Sequence, residues 1–389
     1  MMTNRQRMDL LASYGATGSE IEELLAYDRN AFDEHRTDVP PVLPLPAESH
    51  VAAWERYALE AAEAGAFAAL QRRLVQLRFP IREGISQTEA YRAATLRGAP
   101  TEGMTEASGL VLARPDEFRL IVHPSPAGPI PVLIPGGRTD FVALVRALTM
   151  RNEPGPVPGS MGACMVSGLN NWDRILEHRH RWEAEGGDRS ETGWREEFRR
   201  LVPHKELYQD RFLILSDGPY SNVSAGEIGL TEQKWRRTST TIRLEHECTH
   251  YFTLRVLGSM RNNLLDELIA DYAGITAVGP YRADWFLRFM GLEFFPAYRE
   301  GGRLQNYRGE PPLSESAFRA LQRLVRDAAE NLGRLDLDPA YQPGREPEDR
   351  AATLLALTSF RLEELAIPEA PGQIIRAVQR EREKLRLLG

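Results

Sequence analysis

Cysteine is almost missing from this chain: Cys164 and Cys248 are the only two in 389 residues. Two thiols cannot build a disulfide framework, and they exclude a cysteine-rich zinc module. Lysine is scarce as well. Of 48 basic residues only Lys205, Lys234 and Lys384 are lysines, a skew that fits GC-rich coding and identifies no ligand. No stretch approaches the ~18 apolar residues of a membrane span, so no membrane partner is expected. Positive charge is in deficit, with 55 acidic residues against 48 basic ones and a formal net charge of −7. A surface of that sign repels phosphate backbones, so no nucleic-acid partner is expected. The opening residues, Met1-Met2-Thr3-Asn4-Arg5-Gln6-Arg7, read as the start of a polar helix rather than an apolar signal core. With two thiols and no signal core, the expected compartment is the cytoplasm.

What is present is the balance of a folded protein: 42% hydrophobic and 26% charged residues. The first hundred residues read as helical. Ile21, Leu24 and Leu25 sit at helical spacing among glutamates, and an Ala-rich helix is expected over 48–77, ended by Phe79-Pro80. Between these helices, the proline-rich run 39–46 reads as an extended connector. Ser86-Gln87-Thr88-Glu89 has the pattern of a capping box opening a short helix. Branched, Pro- and Gly-bounded runs at 109–113, 118–122, 130–134 and 211–215 read as strands. Pro135-Gly136-Gly137 before a helix at 139–150 lacks phosphate-loop spacing and reads as a turn. The stretch 155–168 contains no Gly-x-Ser-x-Gly. Beyond residue 235 the pattern is helical, with segments at 240–257, 263–278, 281–290, 314–332, 347–365 and 373–388.

Chemistry concentrates in Glu245-His246-Glu247-Cys248-Thr249-His250, which contains His-Glu-x-x-His. Histidines at i and i+4 project from one helix face, so both rings can converge on one metal. Glu247 lies about 100° around the helix from His246, placed to reach a metal-bound water as a general base. With eight histidines in the chain, chance supplies this pattern roughly 0.01 times per such sequence. A second helix follows, Asn262-Asn263-Leu264-Leu265-Asp266-Glu267-Leu268-Ile269-Ala270-Asp271. Gly258 can end the first helix, and Asn262 or Asn263 can cap the second. The pairs His250/Glu267 and His246/Asp271 share one midpoint, between Gly258 and Ser259. An antiparallel pair would therefore set Glu267 opposite His250 as third ligand. Asp271 would face His246, to accept the outward N–H of a ligating histidine. Asp266 is the alternative ligand, off the face shared by Glu267 and Asp271.

This His-Glu-x-x-His followed by Glu-x-x-x-Asp resembles the gluzincin branch of zinc metallopeptidases. The resemblance covers about thirty residues and includes no Gly-Ala-Met-Glu-Asn motif. It implies zinc held by His246, His250 and Glu267, with Glu247 activating water and Asp271 supporting a ligand. The substrate it implies is a peptide or other amide. The same two histidines and carboxylate also suit an Fe(II) oxygenase acting on a peptide or small molecule, and a non-catalytic binding protein with a relic metal site is the remaining alternative. Three good ligands rather than four favour an open, catalytic site over a structural one. Other polar residues carry plainer readings. His178 and His180 read as a solvated face, and His204 as a loop residue. Cys248 reads as a small buried hydrophobe, and Arg255 and Arg282 as near the motif in sequence only. Tyr220, Tyr251, Tyr281, Tyr298 and Tyr307 are indistinguishable as oxyanion donors. The expected fold is α+β and predominantly helical. A zincin-like core at 109–300, with a small sheet beside the metal helix pair, would be flanked by helical regions at 1–108 and 301–389.

Overall fold

The computed structural model describes residues 2–36, 41–342, 344 and 346–387. Val39 and Pro40 of the proline run, and Leu388, lie outside them. The fold is α+β and predominantly helical, with one four-stranded sheet. It divides into two compact units that interleave along the chain. The first comprises 1–46, 125–128 and 219–389; the second comprises 47–124 and 129–218. This partition differs from the linear regions 1–108, 109–300 and 301–389. The sheet belongs to the second unit and the motif helix to the first.

In the second unit the strands are β1 (Arg119–His123), β2 (Ile130–Ile134), β3 (Ala163–Asn170) and β4 (Gln209–Leu215), in the order β1-β2-β4-β3. The outer pairs are antiparallel and β2–β4 is parallel. Ile130, Val132, Leu133, Phe212, Leu213, Ile214 and Leu215 are all buried, as a covered central pair requires. Helix Val51–Ala64 brings Trp54 and Tyr57 into the core, where the Trp54 ring lies tilted against Phe212 with centroids 4.8 Å apart. Three sequence expectations fail here for local reasons. The 48–77 helix is broken at Gly65, which takes φ 83°, and resumes as Ala66–Arg73. The cap of helix Glu89–Arg97 is Thr88, accepting from the Tyr91 N–H, rather than Ser86. The run 109–113 is not a strand, because Gly109 and Leu110 donate to Arg78 and Leu77 of a short 3-10 turn instead of a ladder.

The first unit is helical. Its long helix Glu315–Leu337 buries Ala317, Leu321, Leu324, Ala328, Leu332 and Leu335, spaced three and four apart. The 347–365 segment is two helices, Pro347–Leu357 and Leu362–Ala366. The second is capped by Asp28, whose carboxylate accepts the N–H groups of Leu362 and Glu363. Leu45 donates to the Pro126 carbonyl, so the described part of the proline run lies against its own unit.

The motif helix (Glu232–Leu257) and the carboxylate helix (Asn263–Thr276) pack closely. Gly258, at φ 68°, ends the first in a left-handed cap. Asn262 occupies the N-cap position of the second but does not cap it. Its side chain is spent on Ala31 N–H and Asn30 instead. At the far end Gly274 touches the motif helix so closely that a Cβ would lie 2.6 Å from the Ile242 carbonyl oxygen. Gly274→Ala must therefore push the helices apart, with an expected loss of about 1–3 kcal/mol. Denaturant titration checks this, and an unchanged midpoint would show that the helices separate freely.

Candidate metal centre

The motif helix owes its position to a buried stripe, Trp235, Ser239, Ile242, His246, Thr249, Thr253 and Leu257, spaced three and four apart. His246 sits on that stripe and His250 beside it, one residue after Thr249, and both imidazoles are buried. His246 Nε2 and His250 Nε2 are 3.0 Å apart. Glu267 approaches both, with Oε2 at 3.6 Å from His246 Nε2 and Oε1 at 3.5 Å from His250 Nε2. These three residues form the metal-competent cluster found among the described residues. The antiparallel register is as expected, since His246 Nδ1 meets Asp271 Oδ1 at 2.8 Å. Asp271 is fully buried and ionised, so the Nδ1 proton belongs to the histidine. The Nε2 lone pair is thereby left free and aimed at His250 and Glu267.

Asp271 is itself held from two sides. Tyr220 donates its hydroxyl to Asp271 Oδ1, and Arg303 donates to Asp271 Oδ2. Arg303 also reaches the Tyr220 hydroxyl oxygen at 3.2 Å and Ser221 Oγ at 2.8 Å. The turn carrying Tyr220 is pinned to the motif helix: the Tyr220 N–H donates to Ser239 Oγ, and Trp235 Nε1 donates to the Val223 carbonyl. Ser221 and Asn222 take φ of 50° and 56° there, a conformation costly for non-glycine residues. Tyr307 lies against Glu267. Burial pushes its phenol pKa up, Arg303 opposes, and the Glu267 charge adds to the rise.

The charges are mutually dependent. Burial would raise the pKa of Glu267, but His250, His246 and Arg303 hold it far below the usual carboxylate range. Burial would likewise raise Asp271, and Arg303, His246 and Tyr220 outweigh it. Burial and the neighbouring Glu267 push Asp266 up to about 7. His250 would be lowered by burial, yet Glu267 and Glu247 raise it to about 9.

The donor set fits a divalent metal. Ligand atoms on a tetrahedral zinc sit about 3.3 Å apart, given bonds of about 2.0–2.1 Å. The two ring nitrogens are 3.0 Å apart, and each has a different Glu267 oxygen at 3.5–3.6 Å, with one donor atom from each residue within 4.8 Å of the others. His250 Nδ1 and Asp266 Oδ1 are buried without hydrogen-bond partners, with Asp266 Oδ2 3.9 Å from the ring nitrogen. Asp266 therefore stands behind His250, outside the three-residue cluster. Glu247 is half-buried, and its charge acts on His250.

The remaining candidates fall elsewhere. His178 pairs with Glu197 at 2.9 Å, His180 is exposed, and His204 is an exposed neighbour of Glu206. Cys248 is buried, and burial pushes its thiol pKa up. Tyr251 packs beneath Arg255, Tyr281 beside Tyr272, and Tyr298 donates to the Gly302 carbonyl. Arg255 reaches the Pro46 carbonyl at 3.1 Å, and Arg282 pairs with Asp284. Glu245, beside the motif, is buried against Arg350.

A family model matches residues 9–369 of the chain. The chain belongs to a family of unknown function, DUF7005. No curated protein and no solved structure matches it. The matched span contains the three cluster residues, Glu247, and the Asp271–Arg303–Tyr220 group behind them.

Asp271→Asn removes the charge that orients His246, and is expected to weaken zinc binding about 10–100-fold. Competition against a chromophoric chelator measures this, with Asp284→Asn, at an exposed ion pair, as the neutral control. Equal affinities for both variants would reduce Asp271 to a packing residue.

Proposed function

We propose that this chain is a metal-dependent hydrolase of a peptide or other amide bond, with zinc held by His246, His250 and Glu267. One observation carries the reading. The two ring nitrogens, 3.0 Å apart, each lie within 3.6 Å of one oxygen of the Glu267 carboxylate, and a buried Asp271 fixes one ring so that its lone pair faces the gap. When bound there, zinc would polarise the scissile carbonyl and lower the pKa of a coordinated water. Glu247, one residue after the first ligand and half-buried, takes the proton of the attacking water. It returns that proton to the leaving nitrogen as the new C–O bond forms and the C–N bond breaks. Tyr220 and Arg303 keep Asp271 ionised and in place. Among the described residues no helix is long and apolar enough to cross a membrane. Cys164 and Cys248 form no disulfide, which suits a reducing compartment, and we assign the chain to the cytoplasm.

The test is elemental mass spectrometry on protein purified without chelator, beside a His246→Ala/His250→Ala control. About one zinc per chain, lost in the control, is the result expected of one open three-ligand site. Glu247→Gln should keep that metal while losing about 10²–10⁴-fold in turnover on a peptide and amide panel. Iron with oxygen-dependent turnover would replace the hydrolase with an Fe(II) oxygenase on the same ligands. No metal, after zinc and anaerobic ferrous iron are both offered, would overturn both.

A further inference from the structure

The second unit contains a cleft of about 800 Å³, built wholly from its own residues. None of the metal ligands belongs to that unit. One wall is β3, which supplies residues 164–170 of the lining. This strand is at the edge of the sheet: it pairs with β4 on one side and with no other strand among the described residues. Along the cleft its residues are mostly half-buried or exposed, with Val166 and Leu169 turned into the core. An open edge beside a cleft is the geometry that accepts an added strand. Eight residues of strand offer a track of about 27 Å at about 3.4 Å per residue.

The opposite wall carries charge of one sign. Arg92 and Arg151 line the cleft, together with Gln87, Tyr91 and Thr95, and no Asp or Glu does. Neither arginine makes an ion pair or side-chain hydrogen bond among the described residues. On a chain of net charge −7 this is a local reversal of sign. The nearest acid in sequence, Glu153, is spent on the N–H groups of Gly84 and Ser86, at 2.8 Å each.

The backbone holds Arg151 there at a cost. It takes φ 53°, in the left-handed region that an unbranched non-glycine residue enters only under constraint. The constraint is Asn152, itself at φ 61° and fully buried. Its amide donates to the carbonyls of Gln76 and Phe79 at 3.0 and 2.9 Å. Its side-chain oxygen accepts from the Tyr91 hydroxyl at 3.1 Å. A residue anchored that firmly in its interior presents the preceding arginine outward in one direction.

We infer that this cleft is a recognition site for an acidic peptide segment in extended conformation, which adds to the open edge of β3 and sets its carboxylates against Arg92 and Arg151. The inference goes beyond the hydrolytic reading and does not depend on the metal. Charge-assisted hydrogen bonds to guanidinium groups supply selection by sign, and the strand edge supplies selection for an extended backbone.

Fluorescence polarisation on the full chain tests it, using a labelled alternating Glu-Val octapeptide as the probe. Its counterpart with Lys for Glu, and a version methylated on alternate backbone nitrogens, are the comparisons. The acidic peptide is expected to bind about tenfold or more tighter than either. The double variant Arg92→Glu/Arg151→Glu should reverse the charge preference while keeping the wild-type unfolding temperature, since both positions are exposed. Arg92→Gln/Arg151→Gln should abolish the preference without reversing it. Binding that ignores charge, or survives backbone methylation, would overturn the proposal. So would competition by free glutamate at the same concentration as the peptide, which would mark a small-anion site, or no binding of any octapeptide. All these readouts are independent of metal content, so they are separable from failure of the hydrolase reading.

Discussion

Two imidazole nitrogens 3.0 Å apart in a buried pocket cannot both present bare lone pairs to each other. Something positive must lie between them, a proton or a metal ion, and the surroundings are charged accordingly. Glu267, half-buried, and Asp271, fully buried, are both ionised, and Arg303 compensates one of them. A third carboxylate, Asp266, stands behind His250, with its pKa pushed up toward neutrality by burial and by Glu267. Buried charges of one sign are costly without partners. Charge balance in the pocket thus calls for a positive species, a proton or a cation, beside the two rings and Glu267.

That arrangement depends on two helices held at a fixed register. Gly258 ends one helix, and Gly274 lets the other approach the Ile242 carbonyl. Between these ends every fourth residue is matched: His250 with Glu267, His246 with Asp271, and Ile242 with Gly274. The cluster of His246, His250 and Glu267 was legible in the sequence because all three lie on this one hairpin, where spacing alone fixes level. Tyr220 and Arg303 were not legible as a pair. They come from irregular turns on either side of the hairpin, with no periodic relation to it. Tyr220 was one of five indistinguishable tyrosines, and Arg303 one arginine in a chain where nearly all bases are arginine. Proximity in space, through Asp271, is what selects them.

The fold class was legible from the runs of periodic residues, and the division into units was not. The second unit is entered at residue 47 and left at 218, with residues 125–128 belonging to the first. Prolines stand at the crossings, Pro46, Pro124, Pro129 and Pro219, but in a chain with 26 prolines they do not single those points out. Strand β3 was missed for a related reason. An edge strand with one exposed face needs few branched residues, and β3 bulges at Gly168, which takes φ 85°. The false strand at 109–113 has the reverse character. It has the right residues, but its N–H groups are claimed by residues 77 and 78. Strand propensity reports a tendency to be extended; pairing is decided by what else is nearby.

The role of Arg303 follows from what Asp271 would do without it. A carboxylate with no solvent contact, facing only a phenol and an imidazole, would be driven toward its neutral form by burial. A protonated Asp271 could donate to His246 Nδ1, and the imidazole would then carry its proton on Nε2, pointing into the ligand cluster. The lone pair needed for a metal would be lost by a tautomer change, without movement of a single heavy atom. By keeping Asp271 ionised, Arg303 keeps the Nδ1 proton on the ring and the Nε2 lone pair aimed at Glu267 and His250. A residue 57 positions beyond His246 thus determines which ring nitrogen can ligate, and does so through a carboxylate that itself touches no metal ligand other than His246 in the cluster.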